Sequence, residues 1–412
     1  MDSKKWLNKD FWTTEFNWLE DVRKDFEIQD QIWVHDCTMR EAEQQIGIVF
    51  KPDEKLAIAK QLDKLGVNSF EIFPVISQDD IDIVKEILKM DLKPQMRCLC
   101  RWLHKDIDIA LETGTKAVLV ENTANPWNNK IAYGLSEEEI IKRFIEAVRY
   151  AKRNGLHVTC MPWDTYRAPL EFLERLYKSI VYEGGADRMV LVDSSGVGLP
   201  QTTTWVMKKV RSWIPDIPLE MHCHNEAGLA GAAMLSALIG GANGVHTVLN
   251  GYGTRAGNAA TEEVVFNAKV LLGMETTVDL KQLYPSCRLV QDLSKAPVLP
   301  TKPIIGDNLY TYCTGLSIDL WKKATKAGRP HAFVPFHPHM IGYPGYSIVL
   351  GKTAGKSAVK MKLEQMEIEV NPDQLDQLTA DIKKEAILRK NYLTDDVIKI
   401  LATPYIIKKK KA

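Results

Sequence analysis

PLEMHCHNEAGLAGA, residues 218–232, holds a strand, its end and the start of a helix. Glu220, His222 and His224 sit two apart, and side chains at i, i+2 and i+4 of an extended strand share a face. Two imidazoles from one strand therefore project together and suit a divalent metal, with Glu220 beside them as outer partner, third ligand or base. Asn225, Glu226, Ala227 and Gly228 then stop the strand and open an alanine-rich helical pattern. The histidine pair consequently falls at a strand's carboxyl end, where parallel α/β folds gather their chemistry.

The same rhythm extends in both directions. Short apolar runs occur at Ile32–Asp36, Ser69–Pro74, Gln95–Cys100, Ala117–Asn122, His157–Pro162, Arg188–Asp193, Pro218–His224 and Gly244–Asn250. Helix-period segments separate them at Lys55–Leu65, Asp79–Met90, Lys105–Thr113, Ser136–Asn154, Leu170–Glu183, Thr202–Trp213 and Ala227–Ile239, and an eighth follows at Ala260–Leu272. Near-continuous apolar runs are the mark of buried parallel strands. Eight such units predict an α/β fold, a (β/α)8 TIM barrel. A doubly wound open sheet would bring a glycine-rich first turn, which is missing.

The expected organisation is an N-terminal arm over 1–30, the barrel over 31–280, a linker and lid-like subdomain over 281–350, and a helical C-terminal subdomain over 351–412. The arm is rich in Trp, Phe and acidic residues, and Pro285, Pro297, Pro300 and Pro303 break the rhythm after the barrel. Helical patterns return at Gly315–Ala327, Ala354–Met366, Asp373–Ala386 and Asp395–Leu401.

Lys plus Arg and Asp plus Glu both number 53, so nothing favours nucleic acid or an anionic membrane as partner. The seven cysteines lack a CxxC pair and read as reduced thiols, which with the absence of an apolar leader or membrane span implies a cytoplasmic protein. Lys408–Lys411 reads as a solvated tail. GKTAGKS at 351–357 has one residue too few between its glycines for a phosphate-binding loop. His337-Pro338-His339 reads as a surface or lid feature.

In a barrel, the strand ends meet at one mouth. Strand one would deliver Asp36, Arg40, Glu41 and Gln44; strand two Glu71; strand three Arg101; strand four Glu121 and Asn122; strand six Asp193, Ser194 and Ser195. Strand eight runs into NGYGTRAGNAATEE, whose glycines let backbone approach a ligand and whose Asn258 lies within reach of a metal. Two His and one carboxylate make an open catalytic metal site, although the chemistry alone leaves Glu41 and Asp36 both eligible. A metal there acts as a Lewis acid on carbonyl or alkoxide oxygen, suiting carbon–carbon bond formation or cleavage through an enolate, or hydrolysis. Such a donor set accepts Mg, Mn, Co or Zn.

DCTMREAEQ, VDSSG, EMHCHNEAGLA, GYGTRAGNAATEEVV and LGKTAGKSAV, taken in order over residues 31–365, resemble the DRE-TIM metallolyases. The likeness is to the Claisen-condensing branch of isopropylmalate, citramalate, homocitrate and Re-citrate synthases. It implies condensation of acetyl-CoA, or another acyl-CoA, with a 2-oxo acid in a homodimeric enzyme. Arg40 then matches the residue that polarises the 2-oxo acid, and Glu41, His222, His224 and Asn258 match the metal contacts. Ser194 matches a carboxylate-binding threonine, and Glu220 a glutamate assisting proton transfer. Glu71 is expected among the catalytic groups, Arg101 and Gln44 among the substrate contacts. The loop at 251–257 lacks the cysteine of the hydroxymethylglutaryl-CoA lyases, which leaves a metal-assisted retro-aldol or retro-Claisen lyase second. Ser317 stands where the synthases carry a histidine, Phe333 where they carry a tyrosine, and Ala42 where they carry a glycine. These departures leave His331, His337 or His339 as replacement bases, and a non-catalytic ligand-binding paralogue as a further alternative.

Overall fold

The computed structural model describes residues 4–407. The lysine run at 408–411 lies outside them. Two compact units result: residues 16–298, and residues 4–15 with 299–407.

The first unit is a closed, all-parallel eight-stranded barrel in sequence order. Its strands are β1 (Trp33–Asp36), β2 (Ser69–Ile72), β3 (Gln95–Arg101), β4 (Ala117–Thr123), β5 (His157–Trp163), β6 (Arg188–Asp193), β7 (Leu219–Cys223) and β8 (Gly244–Thr247). Register is set by pairs such as Leu99↔Leu119, Val192↔His222 and His35↔His246. Leu99, Leu119, Met161, Val190 and Val192 form one apolar cluster, with Phe73 and Trp163 against it, and this set identifies the lumen-facing positions of β3 to β6. The residues between them face the helical shell, so both faces of each strand are buried.

Local chemistry starts the helices where the pattern predicts. The Ser77 hydroxyl accepts from the Asp80 amide at 3.1 Å before Gln78–Leu88, and Ser136 with Glu139 forms a capping box before Glu137–Arg153. Helix Pro126–Tyr133 lies outside the expected helix-period segments. The Asn125 side chain caps it, accepting from the Trp127 amide at 2.9 Å, with proline at the first helical position. The stretches expected at 170–183 and 260–272 each begin as α-helix and finish as a wider π-helical turn, Ser179–Gly184 and Ala268–Leu272. Pro285 does not break the chain either. It lies in the first turn of helix Leu283–Ser294, where its missing N–H costs nothing. That helix belongs to the barrel unit, and Gln61 Nε2 donates to Ser286 Oγ at 2.9 Å.

In the second unit, helices Gly315–Lys326, Lys356–Gln365, Leu375–Arg389 and Asp395–Ala402 enclose Ile318, Leu350, Ile382, Leu393 and Ile398. A short parallel pair, β9 (Thr311–Tyr312) and β10 (Ser347–Ile348), accompanies them. The stretch expected as one arm is divided. Residues 4–15 belong to this second unit, with the Trp12 amide donating to the Pro335 carbonyl at 2.8 Å, whereas 16–30 belong to the barrel unit. Among the described residues, no helix is long and apolar enough to cross a membrane.

One glycine is dictated by the barrel interior. A Cβ on Gly244 would lie 2.8 Å from the Trp33 carbonyl oxygen and 3.3 Å from Glu220 Cγ. Gly244→Ala is expected to lower stability by about 1–3 kcal/mol, as overpacking does; an unchanged urea midpoint would contradict the assignment.

Candidate functional site

Strand β1 leads into a single helical turn, Thr38–Glu41, which Asp36 sets. Its Oδ1 accepts from the Thr38 amide at 2.9 Å and its Oδ2 from the Thr38 hydroxyl at 3.0 Å. With both oxygens spent on the turn, Asp36 is not the group that joins the histidines. Arg40 and Glu41 follow, buried and ion-paired with each other. Arg40 Nε donates to Glu71 Oε1 at 2.6 Å, and His35 Nε2 lies 3.2 Å from Glu71 Oε2. Burial alone would raise the Glu71 carboxyl, yet Arg40 and then His35 hold it well below the usual carboxylate range.

Glu41 Oε1 lies 3.8 Å from His222 Nε2, which lies 3.4 Å from His224 Nε2. Ligand atoms of all three residues fall within 4.8 Å of one another. Burial, then His224 and His246, keep His222 well below its ordinary value; burial, then Arg255, lowers His224 to about 4. Both rings are therefore neutral near pH 7, as ligands must be. Asn258 closes the group, its Nδ2 3.3 Å from Glu41 Oε2 and its buried Oδ1 without a hydrogen bond among the described residues. Two imidazole nitrogens facing each other, an undonated amide oxygen and a carboxylate fit a divalent cation.

The glycine-rich loop places Asn258 by close backbone approach. The Ala259 amide donates to the Cys223 carbonyl at 3.2 Å, zipping the loop onto the end of β7. Gly253 (φ 143°) and Gly257 (φ 84°) leave no room for a Cβ, which would strike the Asn258 amide and the Gly251 carbonyl respectively.

The other expected residues are more dispersed. Ser194 Oγ accepts from the Asp164 amide at 2.8 Å. Half-exposed Arg101 is committed to Asp106 through Nε at 2.7 Å and Nη2 at 3.0 Å. Exposed Gln44 lines a cavity of about 210 Å³ with Met39, Arg40, Lys55 and Phe73. None of the three bonds to the metal-type cluster.

Glu220 lies two residues deeper on β7 than His222, at the barrel floor. Arg97 Nη1 donates to it at 3.0 Å, Arg188 Nη1 at 2.7 Å, and His246 Nε2 lies 2.8 Å away. Burial is outweighed by Arg97, then His246, so its carboxyl is held well below the usual range. Sequence reasoning did not single out Arg97, Arg188, His35 or His246. The available signal was a charged or polar residue at alternate positions inside apolar runs, as in QMRCLC and GVHTV. In a second grouping, His35, Cys37 and His246, both His35 nitrogens bond, to Ser69 and Glu71, and His246 Nε2 bonds Glu220, whereas His246 Nδ1 makes no hydrogen bond among the described residues and burial pushes the Cys37 thiol up, away from the thiolate a metal needs.

In the second unit, Ser317 is part of a helix cap, its amide donating to Thr314 Oγ1 at 3.3 Å. Phe333 lies against Tyr312, ring centres 5.9 Å apart. His337 Nδ1 bonds the Tyr346 hydroxyl at 3.2 Å and His339 Nε2 lies 3.1 Å from Asp10 Oδ1. His331 is buried, with neither ring nitrogen hydrogen-bonded among the described residues.

Residues 31–290 match the HMGL-like family. The chain belongs to that family. Beyond the HMGL-like region, residues 304–390 match the homocitrate synthase post-HMGL domain-like family. A homocitrate synthase of Methanocaldococcus jannaschii is 34% identical over 92% of this chain and 92% of its own. An (R)-citramalate synthase of the same organism is 37% identical over 88% and 72%. A probable 2-isopropylmalate synthase of Ignicoccus hospitalis is 35% identical over 89% and 91%. The chain also superposes on the HMG-CoA lyase of Bacillus subtilis, with a TM-score of 0.60, 21% identity, and 66% and 96% of the two chains covered.

Two outcomes are expected. Glu41→Gln and His222→Ala abolish stoichiometric Mn(II) binding in titration calorimetry, whereas Gln44→Ala preserves it. Glu220→Leu strands Arg97 and Arg188, and costs about 3–5 kcal/mol in urea unfolding; near-native stability would contradict the locked-floor description.

Proposed function

We propose that this protein catalyses a divalent-metal-dependent Claisen-type condensation of acetyl-CoA with a 2-oxo acid, giving a hydroxy di- or tricarboxylate and free CoA. The observation that carries the reading is the homocitrate synthase-type match beyond the barrel, at 304–390. It is supported by synthase relatives at least 34% identical along most of the chain, whereas the likeness to a lyase, at 21% identity over 66% of this chain, is one of fold alone.

Glu41, His222 and His224, with Asn258 beside them, would hold the metal. When bound, it supplies Lewis-acid polarisation of the 2-oxo carbonyl. Arg40 is the fixed cation of the site. Burial alone would lower its pKa, but Glu71 outweighs this and keeps the guanidinium charged where negative charge develops on the carbonyl oxygen. Glu71 holds Arg40 in place. The Ser194 hydroxyl proton, left free while its oxygen accepts from Asp164, is available to a substrate carboxylate. Arg101, anchored by Asp106 yet half-exposed, and Gln44 beside Arg40 offer further donors to an anionic substrate. We further propose that the functional form is a cytoplasmic homodimer, its dimeric state to be checked by light scattering.

The test is thiol release from acetyl-CoA with pyruvate, oxaloacetate, 2-oxoisovalerate, 2-oxoglutarate or glyoxylate, with and without chelator. Chelator-sensitive release with one acid is expected, and it names the substrate. No release from folded, metal-replete protein with any of them overturns the condensation, and cleavage of a tertiary hydroxy acid would then identify a lyase.

A further inference from the structure

A Claisen condensation needs a base for the thioester methyl, and the carboxylates around the metal-type cluster are nearly all committed. Glu41 is in the cluster itself. Glu71 is neutralised by Arg40 and His35, and Glu220 by Arg97, Arg188 and His246. A carboxylate held well below its usual range is a poor proton acceptor. Asp36 is fully buried, with both oxygens accepting from Thr38. Ser317 serves a helix cap.

Glu121 differs from all of these. It is on β4 two residues beyond Leu119, so it faces the lumen as Leu119 does. Register places it between Arg101 on β3 and Met161 on β5. It is the one residue of β4 not fully buried, as a position opening on the mouth should be. Its carboxyl makes no hydrogen bond or ion pair among the described residues, since Arg101 is spent on Asp106. Burial, helped by Glu71 and Asp106 and opposed by Arg40 and Arg101, pushes its pKa up to about 7. A carboxyl at the mouth that no cation pairs with, and whose proton affinity its surroundings raise, is the kind of group that concentrates at functional sites.

We propose that Glu121 is the general acid–base of the condensation, an inference that rests on the reading of the preceding subsection. Ionised, its carboxylate takes a proton from the methyl of the acyl thioester, and the C–H electron pair becomes the enolate double bond. The enolate carbon attacks the 2-oxo carbon, forming the C–C bond while the C=O π pair moves to oxygen. The proton on Glu121 passes to that oxygen, giving the tertiary alcohol and restoring the carboxylate. Water then hydrolyses the thioester and frees CoA.

The experiment uses the full-length Mn(II)-loaded protein, acetyl-CoA and whichever oxo acid supports wild-type thiol release. Wild-type kcat is expected to rise through a pH of about 7 as Glu121 loses its proton. Glu121→Gln should lose that limb and about 10²–10⁴-fold in kcat, with KM for the oxo acid and Mn(II) affinity unchanged. Glu121→Asp should keep a limb with reduced kcat. A Gln variant with wild-type kcat and pH profile, or one altered only in KM, overturns the assignment while leaving the condensation standing. Should the Gln variant fail to bind Mn(II), the Asp variant decides, and wild-type kcat and midpoint there overturn the assignment. Wild-type protein that releases no thiol overturns the condensation and this inference together.

Discussion

The Glu71 carboxylate, ionised where water does not reach it, fixes the geometry of the site. It is buried completely and depends on Arg40 and His35 for its charge. That dependence runs both ways, because a guanidinium at that depth needs a fixed anion. The contact joins β2 to the turn after β1, and the turn carries Glu41 as well as Arg40. Asp36 shapes the turn from within, Glu71 holds it from the neighbouring strand, and Glu41 is delivered to the histidines as a result. The donor set is thus assembled by charge pairing across strands, with the histidines supplied by strand alternation.

Division of labour among like residues follows from environment. Five carboxyls, Asp36, Glu41, Glu71, Glu121 and Glu220, lie on the barrel strands or the turn after β1, yet their partners separate them. Two are pinned as permanent anions, one shapes backbone, one joins the metal-type donors, and one has no direct partner. Reading acid–base function from residue type would have missed this separation. Counting what each oxygen accepts reveals it.

How far the sequence spoke depended on whether a feature was local. Strands and most helices were legible, because apolar runs and helical periods need no knowledge of neighbours. Glu220, His222 and His224 were correctly placed on one face, since alternation alone requires it. What alternation does not give is depth. Glu220 shares the face but lies two residues lower, where Arg97 from β3 and Arg188 from β6 meet it. Those partners lie 123 and 32 residues away in sequence. The choice between Asp36 and Glu41, which chemistry alone left open, likewise turned on which carboxylate caps the turn. Helix Pro126–Tyr133 was missed because its cap and proline look like loop chemistry in isolation.

The polar interior also bears on how the barrel assembles. Arg188, Glu220, His246, His35, Glu71 and Arg40 touch in succession, and they come from β6, β7, β8, β1, β2 and the turn after β1. The chain crosses the seam where the last strand meets the first. A half-barrel of leading strands would enclose Glu71 and Arg40 without the His246 side of the network, and one of trailing strands would hold Glu220 without Arg97. Hydrocarbon interiors tolerate such partial assembly, since any neighbour suffices. Here a leading fragment strands the Arg97 guanidinium and a trailing one leaves Glu220 with Arg188 as its only guanidinium partner, so closure of the ring and completion of its polar network become one cooperative event.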